Sequence, residues 1–142
     1  MATKMAPEVK APNASSDERK FLERNADKLS KTTLRAKWTH GDEGPDRNGQ
    51  TLATRDPDVI RRWAEERGGK PATVGRRDGQ RPRVLRFDFP RNGRQQRLEE
   101  ISWDDWLRTF QERDLVFLYQ ERLRDGRQSN FFRLDNPTRE DG

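Results

Sequence analysis

Residues 56–90 read DPDVIRRWAEERGGKPATVGRRDGQRPRVLRFDFP, a helix pattern followed by a hairpin pattern. Asp56-Pro57 supplies an N-cap with proline at the first helical position, and Gly68-Gly69 supplies the stop. Between these signals the apolar residues recur at helical spacing and form one stripe, which consists of Val59, Ile60, Trp63 and Ala64. The segment between the two signals is therefore predicted to be a helix.

Two strands are predicted after this helix. Apolar residues occupy every second position from Leu85 to Phe89, and Pro90 ends the run. We expect the first strand to run from Pro71 to about Arg76. The chain then turns at Asp78-Gly79, and the second strand returns from Arg83 to Phe89.

A second helix is predicted to start at Ser102. Asp105 completes a variant of the capping box three residues later, and Ile101 is placed to pack on Trp106 as a hydrophobic staple. The core face of this helix falls at positions i, i+3, i+4 and i+7, which are Trp103, Trp106, Leu107 and Phe110.

A second hairpin is predicted around Asp125-Gly126, because this dipeptide separates the runs LVFLYQERL and QSNFFRL. If these two residues form the loop, Tyr119 pairs with Phe132 and Phe117 pairs with Leu134. All four side chains then share one face of the hairpin.

Residues 58–90 and 105–137 resemble each other at an offset of 47, with 9 identities in 33 positions. The alignment brings the helix face, the Asp-Gly turn and the strand end into one register, and it places Trp63 opposite Phe110 as equivalent core residues. It predicts an α+β domain with a duplicated helix-hairpin (αββ-αββ) unit. Since a helix and one hairpin are too little for stability alone, we expect the units to form four antiparallel strands with two helices on one face.

The first fifty residues contain few large apolar side chains that could form a core. Of the 25 Leu, Ile, Val and Phe residues, 5 lie in residues 1–50 and 20 lie in residues 51–142. Residues 1–50 are therefore predicted to be a flexible tail, disordered at its start, with a possible short helix over residues 17–30 and a Gly/Asp-rich linker. The folded domain is expected over residues 51–137, and residues 138–142 are expected to be disordered.

Composition excludes several classes of function. Zero cysteines excludes disulfides and thiolate chemistry, and no apolar run approaches the length of a membrane span. The N-terminus has no apolar signal region, which favours a cytoplasmic protein. No phosphate loop, dinucleotide fingerprint, nucleophile elbow or zinc-protease motif is present, so no catalytic, cofactor or metal site is predicted. His40 lies among acidic residues in the Gly-rich loop, which we interpret as solvated.

The charge is concentrated in the middle of the sequence. The formal net charge is +5, yet residues 70–97 carry nine basic residues against Asp78 and Asp88. The nine are Lys70, Arg76, Arg77, Arg81, Arg83, Arg86, Arg91, Arg94 and Arg97. Arginine outnumbers lysine 23 to 7, and arginine suits bidentate recognition of phosphate or carboxylate.

Two functions fit this charge pattern. The first is a small non-enzymatic protein that binds the phosphates of DNA or RNA through the arginine-rich first hairpin. The alternative is a protein interaction or dimerisation module whose basic strip faces an acidic partner.

Trp63, Trp103 and Trp106 lie on predicted core faces, whereas Trp38 has polar neighbours in LRAKWTH. Trp38 is therefore a candidate interaction residue, or a clasp that holds the N-terminal arm on the domain.

Four sequence segments occur in a fixed order over roughly residues 52–135. They are IRRWAEERGGKPATV, VLRFDFP, LEEISWDDWLRTF and LVFLYQ. In this the sequence resembles a group of short bacterial proteins of unknown function, some of which carry a glucan branching enzyme label. A branching enzyme needs a barrel domain of several hundred residues, which this length cannot contain. The resemblance implies a compact domain and no catalytic residue.

Overall fold

The computed structural model describes residues 7–74, 82–90 and 98–137. These residues form four helices, which are α1 (Ser16–Arg24), α2 (Lys31–Arg35), α3 (Pro57–Glu66) and α4 (Trp103–Glu112). They also form seven strands, which are β1 (Lys37–Trp38), β2 (Leu52–Thr54), β3 (Lys70–Val74), β4 (Val84–Asp88), β5 (Leu98–Glu100), β6 (Val116–Tyr119) and β7 (Phe132–Asp135). The prediction of a mixed α+β fold is confirmed.

The strands form two sheets. Sheet A has the order β1-β2-β6-β7, with β1 parallel to β2 and the other pairs antiparallel. Sheet B has the order β4-β3-β5 and is antiparallel. The prediction that the two units form four antiparallel strands is wrong, because the two hairpins belong to different sheets and one of these sheets is mixed. β3 pairs with β5 and β6 pairs with β2, so each hairpin is extended by a strand from another part of the sequence and not by the other hairpin.

Helix α3 begins and ends at the predicted signals. The Asp56 side chain accepts from the Asp58 amide, and Pro57 is the first helical residue. At the other end, the Gly68 amide donates to the Glu65 carbonyl and the Gly69 amide donates to the Ala64 carbonyl. These two bonds are those of a Schellman motif, and Gly68 has the positive φ of 69° that the motif requires.

Helix α4 also begins as predicted, since the Ser102 hydroxyl accepts from the Asp105 amide at 3.0 Å. Its end repeats the Schellman pattern with a residue other than glycine. The Leu115 amide donates to the Phe110 carbonyl, and Asp114 takes the left-handed position with φ 54°.

The predicted cross-strand pairs of the second hairpin are confirmed, with Tyr119 opposite Phe132 and Phe117 opposite Leu134. The loop differs from the prediction. The Leu123 amide donates to the Arg127 carbonyl, so the loop consists of residues 124–126. Gly126 has φ 91°, as expected where a type I turn is followed by a left-handed residue.

The two helix-hairpin units do not share a single offset. Helix α3 begins at residue 57 and α4 at residue 103, a difference of 46, whereas β4 ends at residue 88 and β7 at residue 135, a difference of 47. The ungapped alignment is therefore wrong for the helices, where Trp63 corresponds to Thr109 and not to Phe110. A common origin of the two units stays a prediction.

The first core lies between the helices α3 and α4 and the inner faces of both sheets, and it is rich in aromatic rings. Trp63 is its centre, with its ring centroid 5.4 Å from that of Phe117 and 6.0 Å from that of Phe87. The Trp63 Nε1 donates to the Gln120 carbonyl beside β6, and the Trp106 Nε1 donates to the Arg86 carbonyl in β4. Each helix is thus bonded to the hairpin of the other unit.

Two arginines, one after each helix, also bond to the hairpin of the other unit. Arg67, whose side chain is 1% exposed, donates to the carbonyls of Trp63, Glu121 and Ser129. Arg113, the residue that follows α4, donates to the carbonyls of Pro82 and Arg83. Burial lowers the pKa of Arg67 although Glu121 and Glu66 act in the opposite direction.

A second core lies on the other face of sheet A. Residues 7–36 supply α1 and α2, whose buried side chains pack against Trp38, Ala53, Val116 and Leu118 of the sheet. The prediction of a flexible tail over residues 1–50 is therefore corrected for residues 7–50. Few apolar residues suffice there, since this layer covers only one face of a sheet that the rest of the chain provides. The predicted helix over residues 17–30 ends earlier, at Arg24.

Polar bonds tie this N-terminal layer to the end of β7. Asp135 is 1% exposed and accepts from the Ser30 amide at 2.8 Å and from the Thr33 hydroxyl. Ser30 is the N-cap of α2, so one carboxylate joins the start of this helix to sheet A.

Candidate functional site

Three of the nine predicted basic residues lie in the described part of the chain, and all three are exposed on sheet B. Lys70 begins β3, Arg86 lies in β4, and Arg83 precedes β4 by one residue. Arg86 pairs with Ala72, two positions after Lys70 on the same strand, so Lys70 and Arg86 share the outward face of the sheet. We call Lys70, Arg83 and Arg86 the basic side of sheet B.

Charged side chains of both signs lie on this outward face. Among the described residues no carboxylate forms an ion pair with Lys70, Arg83 or Arg86. On the opposite edge, β5 carries Glu99 and Glu100, and Glu100 pairs with Ala72. The outward face thus carries Lys70 on β3 and Arg86 on β4, with Asp88 of β4 directly opposite Lys70, and it carries Glu100 on β5.

The other predicted residues of this site, Arg76, Arg77, Arg81, Arg91, Arg94 and Arg97, lie outside the described residues. Both segments that contain them are attached to sheet B. The first follows Val74 at the end of β3, and the second joins Pro90, just after β4, to Leu98 at the start of β5.

Many other arginines are used to hold the fold. Their guanidinium groups donate to backbone carbonyls of distant segments or of tight turns, as is seen for Arg19, Arg55, Arg62, Arg67, Arg113 and Arg122. A guanidinium presents five N–H donors, so one side chain can bridge several carbonyls. Part of the arginine excess therefore has a structural role, which composition alone does not reveal.

Trp38 lies in the second core and is fully buried, so its ring is not available to a partner in this structure. It packs under the N-terminal layer, and its carbonyl accepts from Asn13 at 2.9 Å. This position agrees with the second interpretation of Trp38, a clasp that holds the N-terminal arm on the domain. The indole Nε1 is buried with no hydrogen-bond partner in the described part of the chain.

His40 joins the N-terminal layer to the loop that follows β1. Its Nε2 lies 2.8 Å from Oε1 of Glu18 in α1, and its Nδ1 lies 3.0 Å from Oε1 of Glu43. Because a carboxylate only accepts, both ring nitrogens must carry protons to make both bonds. Burial lowers the pKa of His40, but the hydrogen bonds and charges of Glu18 and Glu43 outweigh it and raise the pKa above 6.5. The sequence interpretation of a solvated loop missed this contact.

A groove of about 500 Å³ lies beside Lys70, where the α3–β3 turn meets the β5–α4 turn. We call it the α3–α4 groove, and its lining residues are Glu65, Gly68, Gly69, Lys70, Pro71, Glu100, Ile101, Ser102 and Trp103. The Ile101 amide donates to the Pro71 carbonyl at 3.0 Å, which holds the two turns together. Sequence reasoning placed Trp103 on a core face and did not find this groove, because its walls come from segments about thirty residues apart.

Comparisons with known proteins return nothing for this chain: no family of proteins, no curated protein and no solved structure matches it. Within the described ranges, no three His, Cys, Asp or Glu side chains are grouped so that they could hold a metal ion. The helices described above are also too short and too polar for any of them to cross a membrane.

Proposed function

We propose that this chain is a small non-enzymatic protein that binds nucleic acid through the phosphates, with the basic side of sheet B as the described part of the contact surface. The observation that carries the proposal is the position of Lys70, Arg83 and Arg86, which are exposed on one sheet and form no ion pair with a described carboxylate. Cations without carboxylate partners are available for phosphate oxygens.

Sheet B also carries both segments with the six other basic residues of the sequence cluster. Pairs of strands that bear arginines are known to enter a groove of DNA or to lie along its phosphate backbone. In the second hairpin, Arg127 is paired with Asp125 at 2.8 Å, whereas Arg124 and Arg133 are exposed without an ion pair to a described carboxylate. The proposal assigns the contact to the first hairpin because the basic cluster of the sequence, residues 70–97, lies there.

Salt dependence of binding tests the proposal. Each phosphate that is neutralised contributes about 0.9 to the slope of log affinity on log salt for duplex DNA. Replacing Lys70, Arg83 and Arg86 together by Ala is expected to lower the slope by about 2 to 3 units, measured by fluorescence anisotropy with labelled DNA and RNA. The matched control is Arg133→Ala, an exposed residue at the equivalent place in β7, which is expected to leave the slope unchanged.

A second triple variant, in which Arg76, Arg77 and Arg81 are replaced by Ala, tests the part of the surface that only the sequence predicts. It too is expected to lower the slope by about 2 to 3 units. Absence of binding to DNA and RNA at low salt, or binding that both triple variants leave intact, contradicts the proposal.

An interaction module for an acidic protein partner is the second candidate. It is favoured by Val84, which is 42% exposed on the outward face of sheet B beside the cations, in a row with the half-buried Val74 and Leu98. An apolar row beside basic residues suits a protein surface better than a phosphate backbone. Replacing Val84 by Ser is expected to weaken such a partner and to leave nucleic-acid binding unchanged.

A further inference from the structure

We propose that the α3–α4 groove is a subsite for an unpaired guanine base, so that the ligand is a single-stranded nucleic acid. The proposal rests on the proposed function, because the phosphates of the same strand would contact the basic side of sheet B. Unpaired bases are recognised by stacking on aromatic side chains and by hydrogen bonds to their Watson–Crick edges, and the groove offers both kinds of group.

The aromatic wall of the groove is Trp103. Its indole is held on the core side by Trp106 and Phe87, with ring centroids 6.0 Å and 5.9 Å away. The guanidinium of Arg61 lies over the ring at 5.7 Å from its centroid, and the Arg61 side chain is 54% exposed. A planar polar group is therefore already accommodated on this ring, and Arg61 itself is not among the residues that line the groove.

The hydrogen-bonding group of the groove is Glu100. Its carboxylate forms no hydrogen bond or ion pair within the described residues, whereas Glu65 is paired with Arg61 at 3.1 Å. An ionised carboxylate only accepts hydrogen bonds, and it has two oxygens. Guanine alone among the four bases presents two adjacent donors, its ring N–H and its amino group, on the Watson–Crick edge, so Glu100 complements guanine.

Two glycines, Gly68 and Gly69, contribute backbone to the lining of the groove. A Cβ on Gly69 would lie 2.9 Å from a ring carbon of Phe89, and Gly68 has a positive φ, so neither position is suited to a side chain. The two glycines are therefore required by packing against Phe89 and Pro90, and they line the groove with backbone atoms. Lys70 follows directly and lies at the rim, where a phosphate of the bound nucleotide would meet it.

A basic peptide is the competing occupant, since Glu65 and Glu100 also attract cations. Lys70 lines the same groove and the basic side of sheet B lies next to it, so a cationic peptide would meet like charge as it approaches. A nucleotide carries both an anionic phosphate and a base rich in donors. It therefore matches both kinds of charge in the groove.

The test is a titration of the ¹⁵N-labelled full chain with guanosine monophosphate, adenosine monophosphate and ribose 5-phosphate, followed by NMR. Guanosine monophosphate is expected to shift the Trp103 indole signal, with weaker effects from the other two compounds. The indole N–H groups of Trp63 and Trp106 are internal controls, because they are bonded to backbone carbonyls inside the first core. Glu100→Gln is expected to weaken guanosine monophosphate about tenfold and to change adenosine monophosphate little.

The outcomes separate this inference from the proposed function. If guanosine monophosphate leaves Trp103 unshifted while oligonucleotides bind with the predicted salt dependence, the groove proposal is wrong and phosphate binding stands. Equal shifts from ribose 5-phosphate, or tighter binding of N-acetylarginine amide than of guanosine monophosphate, overturn the base subsite.

Trp103→Phe keeps an aromatic ring against Phe87 and is expected to retain part of the binding. A guanine-containing single strand should also bind more tightly than its duplex.

Discussion

The two cores share sheet A as a common wall, yet they are built from different side chains. The first core is filled by stacked and tilted aromatic rings, and both of its buried indole N–H groups are bonded to carbonyls. The second core is filled mainly by alanine and leucine with Phe21 and Val116, and its single tryptophan, Trp38, has an Nε1 with no hydrogen-bond partner among the described residues. Polar ties at its margins, His40 and Asp135, hold the covering layer in place. Dense packing stabilises the first core, whereas the second also depends on a few polar bonds at its margins, so we expect its layer to open first.

The largest effect is expected from Trp63→Ala. This substitution removes the central ring of the first core and leaves the Gln120 carbonyl without its donor, which should lower the free energy of unfolding by about 3 to 5 kcal/mol. Guanidinium melts followed by circular dichroism measure the change. A loss below about 1 kcal/mol would show that the aromatic rings repack around the cavity and that the first core is not the rigid one.

The second prediction sharpens the comparison with a matched pair, Trp63→Phe and Trp38→Phe. Both substitutions remove an indole N–H and keep an aromatic ring. In Trp63 the lost N–H was bonded to Gln120, while in Trp38 it was buried and unbonded. Relief of an unsatisfied donor is worth about 1 to 3 kcal/mol, so Trp38→Phe should cost less than Trp63→Phe by that amount. Equal losses in the same melts would contradict the difference between the two cores.

The elements of the first core could be predicted from sequence because their signals are local. Asp56-Pro57, Gly68-Gly69 and Ser102 lie at the ends of helices in the sequence and in the structure. The division into two sheets could not be predicted, since it depends on pairing of β3 with β5 and of β6 with β2, and short three-residue strands leave almost no periodic pattern.

The second core did leave a signal in the sequence. The run LVFLY, residues 115–119, has no polar residue, and β6 is buried on both faces, with Phe117 in the first core and Leu118 in the second. An unbroken apolar strand implies a covering layer on each side. Helices α3 and α4 and sheet B cover one face of β6, so the N-terminal residues are left to cover the other. The α3–α4 groove has no comparable signal, because it depends on how two turns meet.

The third prediction concerns the tie at Asp135. Asp135→Asn keeps the shape of the side chain but removes the charge that accepts from the Ser30 amide and the Thr33 hydroxyl. A loss of about 1 to 2 kcal/mol is expected, since hydrogen bonds to charged groups are stronger than neutral ones. Hydrogen exchange should become faster in α2 and stay unchanged in α4. Faster exchange in both helices would mean that the two cores unfold as one unit.

The smallest effect is expected from His40, and it depends on pH. The pKa of His40 is raised in the folded chain by Glu18 and Glu43, so the folded state binds the proton more tightly than the unfolded state does. The stabilisation is fully present below the unfolded pKa of 6.5 and is lost as the pH rises through the folded pKa. The chain has one histidine, so no other side chain of this type titrates in the same range.

Replacement of His40 by Gln should therefore destabilise the chain at pH 6 and have almost no effect at pH 8.5. Because the His40 side chain is 38% exposed, water screens its ion pairs, and the difference between the two pH values should stay below about 1 kcal/mol. Melts of both chains at the two pH values measure this difference, and NMR titration of the imidazole gives the folded pKa directly. A folded pKa at or below 6.5 would show that burial outweighs the two carboxylates, in which case His40 does not tie α1 to the loop and the second core is held by packing and Asp135 alone.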